Sequence, residues 1–222
     1  MQDGRIGVPL NGYDQPMQVR TPRRYQLRKR AERQALTRRR IVDAALGLHG
    51  QVGPVRTTVS AIAARAGVER LTVYRHFPDE RALLTACTGD LFVRYPLPDM
   101  NGWFAERHPT LRLRRALADL YAWYRATEPV AARLLRDAPE LPALRAGLRP
   151  LTDPLAELPA ALSEGWPTFG RSGRARLAGV IGHAVEVGTW QSLAGRRGLS
   201  DDEAADLLVA TAQSAARDEP QA

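Results

Sequence analysis

The chain has 222 residues, 32 of them basic and 24 acidic, with a formal net charge of +8 and a pI near 10.5. That length suits one large domain or two modest ones with a shared core, and the charge points to an anionic partner: nucleic acid, a membrane surface or an acidic ligand. A single cysteine, Cys87, excludes an internal disulfide and a thiolate zinc site. No run approaches the roughly 18–20 apolar residues of a membrane span, and the N-terminus lacks the apolar run of a signal peptide. The expectation is a cytoplasmic protein with no membrane partner.

The basic side is 31 Arg and one Lys, Lys29. GC-rich codon usage accounts for that choice, since Ala, Gly and Pro are abundant too. Position is more informative than identity. Residues 1–40 hold eleven basic and three acidic residues, whereas residues 41–222 hold 21 of each. The whole excess therefore belongs to an N-terminal arm ahead of a formally neutral body.

Residues 1–20 are rich in Gly, Pro, Asn and Gln without an apolar period, so residues 1–24 read as a disordered or partly helical basic arm, with Met17 a second possible start. Thr21-Pro22 resembles an N-cap followed by proline, and a helix begins somewhere between Pro22 and Thr37. Its apolar stripe, Ile41, Ala44, Ala45 and Leu48, ends at Gly50 and Gly53-Pro54. A start near Thr37 would crowd Arg38, Arg39 and Arg40 into the positive first turn, at about 0.3–1 kcal/mol each, a cost that phosphates would reverse. An earlier start removes that argument.

Thr57-Thr58 offers a hydroxyl cap for a short helix burying Val59, Ile62, Ala63 and Ala66, and Gly67 breaks it. A second short segment runs from Val68 to Phe77 with Val73 and Phe77 inward. Pro78-Asp79 opens the next helix, with Leu83, Leu84, Cys87 and Leu91 as its stripe. Two short helices about a glycine turn, the first with an alanine face that permits close crossing, form the helix-turn-helix pattern; an ordinary helical hairpin has the same spacing. The outward residues weigh for DNA. Arg70, Leu71, Thr72, Tyr74, Arg75 and His76 face solvent with no carboxylate beyond Glu69. Arg grips guanine bidentately, Thr and Leu meet a thymine methyl, and Tyr and His reach phosphates.

The run from Arg39 to Leu91 resembles TetR-type transcriptional regulators. Its most specific piece is RTTVSAIAARAGVERLTVYRHFPDERALL, Arg56 to Leu84, in which an AGV turn precedes TVYRHF by three residues. The resemblance implies an all-α protein: a helix-turn-helix DNA-binding domain at 25–84, a ligand-binding and dimerisation domain at 85–222, and a homodimer on palindromic double-stranded DNA. By position it places Arg70, Leu71 and Thr72 on bases, Tyr74 and His76 on phosphates, and Thr58 beside the backbone. With Arg38, Arg39, Arg40, Thr57 and Arg75 these form the expected DNA surface. Leu71 stands where a small residue or proline is frequent, so base preference does not carry over. Glu80 stands where a lysine is common, with Arg81 beside it.

From Pro109 to Ala216 the chain reads as four or five more helices. One face is Leu113, Leu117, Leu120, Tyr121 and Tyr124. Residues 130–148 form another helix, broken near Pro139 and Pro142. A loop-rich stretch follows with Pro150, Pro154, Pro159, Gly165, Pro167, Gly170 and Gly173, then a long helix from Arg174 to Leu193. Ser200 to Glu203 is a capping box that starts the last helix, with Leu207, Leu208 and Thr211 inward. The resemblance implies pairing of the last two long helices across a dimer, here through Ala178, Gly179, Gly182, Val185, Leu207 and Leu208. It also implies an effector cavity in the middle helices, for which Phe104, Tyr121, Tyr124, Trp166, Phe169 and His183 are the expected walls; core packing explains the same aromatics, and a satisfied core histidine the same His183. Arg133 and Arg136 read as solvated, with anion anchoring the other reading. No cofactor is expected.

Two other functions compete. An enzyme would need HExxH, a phosphate-cradling glycine loop, GxSxG or paired carboxylates; none is present, and His49, His76, His108 and His183 are scattered. An architectural nucleic-acid protein driven by the arm would bind with strong salt dependence and little sequence preference.

Overall fold

The computed structural model describes residues 23–167 and 170–217; the segment 1–22, with Met17 and Thr21-Pro22, and Phe169 lie outside them. Among the described residues there is no strand, as the 3.6-residue periods require. The chain divides into two units, Met1–Thr37 and Arg38–Ala222.

The first helix, α1 (Arg23–Val52), carries exposed side chains from Tyr25 to Leu36. There Arg28 Nε donates to Glu32 one turn on (2.9 Å), and Thr37 Oγ1 donates to the Arg33 carbonyl. Because α1 starts at Arg23, residues 38–40 lie in mid-helix, and the argument from a crowded first turn does not apply.

In the second unit, Ile41, Ala44 and Ala45 of α1 pack with α2 (Val59–Ala66), α3 (Arg70–His76) and α4 (Glu80–Arg94). Their core is Ile62, Ala63, Ala66, Val73, Phe77, Leu83 and Cys87. Helix α4 has two buried faces. Leu83 and Cys87 belong to that core, whereas Leu84 and Leu91 join Leu134, Leu144 and Leu148 of α5 (Pro109–Asp137) and α6 (Pro142–Leu162). A 3-10 turn (Asn101–Ala105), α5, α6, α7 (Gly170–Ala184), α8 (Val187–Trp190) and α9 (Asp201–Arg217) surround a larger core that includes Trp103, Leu117, Tyr121, Tyr124, Ile181 and Trp190. The capping box forms as expected, with Glu203 N–H donating to Ser200 Oγ (3.2 Å) and Ser200 N–H donating to Glu203 Oε2 (2.8 Å).

Four expectations are corrected. Residues 130–137 continue α5 through Pro129, and residues 150–162 belong to α6. Leu144, Leu148, Leu151, Leu158 and Leu162 give α6 one buried stripe, while Pro150 and Pro154 are exposed, so the carbonyls they leave unpaired meet water. The long helix 174–193 is interrupted: α7 stops at Ala184, Glu186 is extended, and a π-helical turn (Gln191–Arg196) follows α8. The interruption is supported by two buried phenols, since Tyr121 Oη donates to the Ala184 carbonyl (2.8 Å) and Tyr124 Oη to the Val185 carbonyl (2.6 Å). Finally, Leu207 and Thr211 point outward, and Ala204, Ala205, Leu208, Val209 and Ala212 form the buried side of α9.

The end of α1 meets α5 at a polar joint. Asp137 accepts from the Val55 N–H (3.2 Å) and from Arg136 Nε (2.7 Å). Burial raises the Asp137 carboxyl, but these bonds outweigh it and hold the group below its usual range. Nearby His49 is 2% exposed. Burial pushes its pKa down to about 4, against a smaller upward pull from Asp137. The unfolded chain takes up this proton below pH 6.5 and the folded chain resists until about pH 4, so stability is complete above pH 6.5 and falls through that window. The loss is on the order of 3 kcal/mol. Chemical denaturation across pH 4–7 checks this: His49→Gln is expected to flatten the slope, and an unchanged slope assigns it to other groups.

Candidate nucleic-acid interface

Helix α2 starts at Thr58, whose Oγ1 accepts from the Ala61 N–H (3.2 Å), and ends at Gly67 in the left-handed region, φ 63°. The Val68 N–H then closes on the Ala63 carbonyl (3.0 Å). This turn releases the chain into α3 at a fixed angle. Arg40 of α1 reaches across it and donates through Nη2 to the carbonyls of Ala66 and Gly67. A guanidinium there satisfies carbonyls at the negative end of α2.

Helix α3 is held by Val73 and Phe77, 1% and 2% exposed. Burying each contributes about 1.5–3 kcal/mol. With those two inside, the outer face carries Arg70, Leu71, Tyr74 and Arg75, with Thr72 and His76 half-buried at its margins. Leu71 is 68% exposed and Tyr74 44%. An apolar and an aromatic side chain at such exposure, flanked by two arginines, make a surface suited to base edges and methyl groups.

The expected DNA residues thus differ in what they are free to do. Arg70, Leu71, Thr72, Tyr74, Arg75 and His76 share one short helix. Arg39 and Thr58 are exposed, but the Thr58 hydroxyl also caps α2. Thr57 Oγ1 donates to the Gly53 carbonyl (2.7 Å), so its proton is engaged in the loop. Arg38 stacks over the Phe77 ring (4.7 Å), and Arg40 is tied to the turn. Spacing alone did not distinguish the three arginines; only the chain folding back at Gly67 does.

The expected effector walls do not converge among the described residues. Tyr121 and Tyr124 fill the core, Phe104 is 40% exposed with Arg112 near its ring, and Trp166 donates to the Leu162 carbonyl (3.0 Å). His183, expected in the core, is exposed on α7, with Nδ1 3.2 Å from Thr189 Oγ1. Phe169 lies outside the described residues. Tyr124 does line an open groove of about 510 Å³ at the α7–α8 interruption, with Leu135, Leu155, Pro159, Val185 and Glu186. The sequence hid this groove because the prolines of α6 masked its leucine period.

The expected dimer residues also divide. Val185 and Leu208 are buried within the chain, and a Cβ on Gly182 would touch Pro159 (3.5 Å), so Gly182 faces α6. Gly179 and Leu207 are exposed and Ala178 is half-buried. Gly179 and Leu208 line a second groove between α7 and α9 with Val180, His183 and Thr211. Arg133 donates to the Pro129 carbonyl and Arg136 pairs with Asp137. No helix among the described residues is long and apolar enough to cross a membrane, and no cluster of three His, Cys, Asp or Glu is placed to hold a metal.

A helix-turn-helix domain joined through a two-faced helix to a larger helical body makes this an all-α fold among the described residues. Residues 41–87 match the family described as bacterial regulatory proteins, tetR family, so this segment is similar to the helix-turn-helix segment of those regulators. The fold is similar to that of a TetR-like transcriptional regulator from Rhodococcus sp. RHA1, with 24% identity, 80% of this chain and 94% of that chain covered, and a TM-score of 0.60. It is also similar to a candidate TetR-family transcriptional regulator from Mesorhizobium loti MAFF303099, with 18% identity, coverage of 82% and 96%, and a TM-score of 0.51. No curated protein matches the chain.

Gly67 provides a direct check on the turn. Its φ is positive, and a Cβ there would lie 2.9 Å from Arg40 Nη2. Gly67→Ala is expected to destabilise the chain by about 1–2 kcal/mol, read as a lower midpoint in urea; an unchanged midpoint would show that the turn tolerates another conformation.

Proposed function

We propose that this chain is a ligand-responsive repressor that binds a palindromic operator as a homodimer. The observation that carries the reading is the outer face of α3, where Arg70, Leu71, Tyr74 and Arg75 are presented together by two buried anchors. One α3 reads half a site, and a two-fold partner supplies the other half in the next major groove. The α7–α9 face, with Gly179 open and Leu207 47% exposed, suits such a partner: a Cβ on Gly179 would have no atom within 4 Å, so a second backbone can approach closely.

The groove at the α7–α8 interruption is the proposed effector site. Tyr124 and Glu186 give it polar groups beside Leu135, Leu155 and Pro159. An effector that binds more tightly to a dimer with wrongly spaced α3 helices lowers operator affinity by population shift; binding both states equally would change nothing. The basic residues of the arm add affinity through phosphates, and α3 adds choice.

The test compares DNA from upstream of the protein's own gene with scrambled DNA over a salt series. Specific affinity at least about 10³-fold above the scrambled control is expected at physiological salt, and Leu207→Asp is expected to yield a folded monomer that loses most of that ratio. Near-equal affinities for the two DNAs would replace this reading with the architectural one.

A further inference from the structure

The side chains along the groove at the α7–α8 interruption narrow the chemistry of what it can hold. Its volume of about 510 Å³ falls within the roughly 300–1,000 Å³ of small-molecule sites. Leu135, Leu155, Pro159 and Val187 line it half-buried, so each still offers apolar surface to an occupant.

The side-chain donors of the groove are already engaged. Thr152 Oγ1 donates to the Leu148 carbonyl (3.3 Å) and Tyr124 Oη to the Val185 carbonyl (2.6 Å). Among the described residues no Arg, Lys or His lines the groove, and its one charged side chain is Glu186. That side chain is 68% exposed, so a molecule in the groove can reach its carboxylate. The nearest basic atom is His183 Nδ1 at 3.9 Å, on a ring that is charged only when protonated and whose Nδ1 already lies 3.2 Å from Thr189 Oγ1. The Glu186 charge is felt at the groove wall: burial pushes the Tyr124 phenol above its ordinary range, and the nearby carboxylate pushes it the same way. Such a site attracts a cation and repels an anion, and its apolar length rewards a hydrophobic body.

We propose that this groove takes a small hydrophobic monocation, an alkyl- or arylammonium ion, with the ammonium on the Glu186 carboxylate and the apolar body along Leu135, Leu155, Pro159 and Val187. The inference rests on reading the groove as the effector site, but the binding arm of its test involves no DNA.

The full chain, at pH 8 and low salt, is titrated with phenylethylammonium, phenylethanol and phenylpropanoate while amide shifts are followed by two-dimensional NMR. The three probes share an arylalkyl body and differ in charge. The cation is expected to give saturable shifts at Leu155, Val187 and Gly188 and to bind about threefold more tightly than the alcohol, the scale of one exposed ion pair, with the anion weakest. Salt at about 0.5 M is expected to narrow that gap. Glu186→Gln, which keeps the shape of the side chain, is expected to bring the cation down to the affinity of the alcohol, and Glu186→Lys to favour the anion. The ordering in the unsubstituted chain decides the matter even if a variant fails to fold. Absence of saturable shifts in the groove, equal affinities for cation and alcohol, or tighter binding of the anion would each overturn the proposal. A cation that binds here as expected yet leaves the affinity for the protein's own upstream DNA unchanged would uphold the ligand class and contradict the effector reading alone.

Discussion

Helix α3 has seven residues, far short of the roughly 12–15 at which an isolated helix becomes marginally stable in water. What it presents to DNA therefore depends on the two side chains that anchor it. Val73 and Phe77, four residues apart, sit on one side of the helix and lock its rotation about its own axis. Rotating α3 by one residue would bury Tyr74 and expose Val73. The same packing reaches outward to Arg38, whose guanidinium covers the Phe77 ring, and onward through Leu83 and Cys87 to α4. Since Leu84 and Leu91 of α4 belong to the cluster with α5 and α6, a change in those helices bears on α3 through one packed element.

The net charge takes a different meaning once the arginines are placed. All of the +8 excess lies in residues 1–40, but its members are not equivalent. Arg40 is fastened to the end of α2 and Arg38 to Phe77, so both support the geometry of the reading helix as well as its field. Arg28 is paired with Glu32 one turn away at high exposure, an arrangement worth little against phosphate. In the proposed operator complex, affinity and orientation draw on the same basic segment.

Much of this was legible in the residues. The i, i+3, i+4, i+7 stripe of α2, the glycine turn, and the inward pair Val73 and Phe77 place the two short helices from local spacing, which an ordinary helical hairpin shares, and the outward residues of α3 separate the two. The Ser200–Glu203 box marked the start of α9 for the same reason: its bonds are local. What escaped depended on contacts distant in sequence. Pro150, Pro154 and Pro159 read as a loop because local propensity opposes helix, whereas the leucine stripe of α6 outweighs it by burial. The interruption after Ala184 depends on Tyr121 and Tyr124, some sixty residues earlier. His49 was one scattered histidine until folding brought its ring against the underside of α3.

The central claim is that the anchored α3 reads sequence through the residues it turns outward, and Arg70 tests it most directly. Binding of Arg70→Ala to a library of operators substituted at each base position is the measurement. The account predicts a loss of about 1–3 kcal/mol and relaxed preference concentrated at one position of each half-site. A uniform loss across all operators would make Arg70 a phosphate contact and contradict the account.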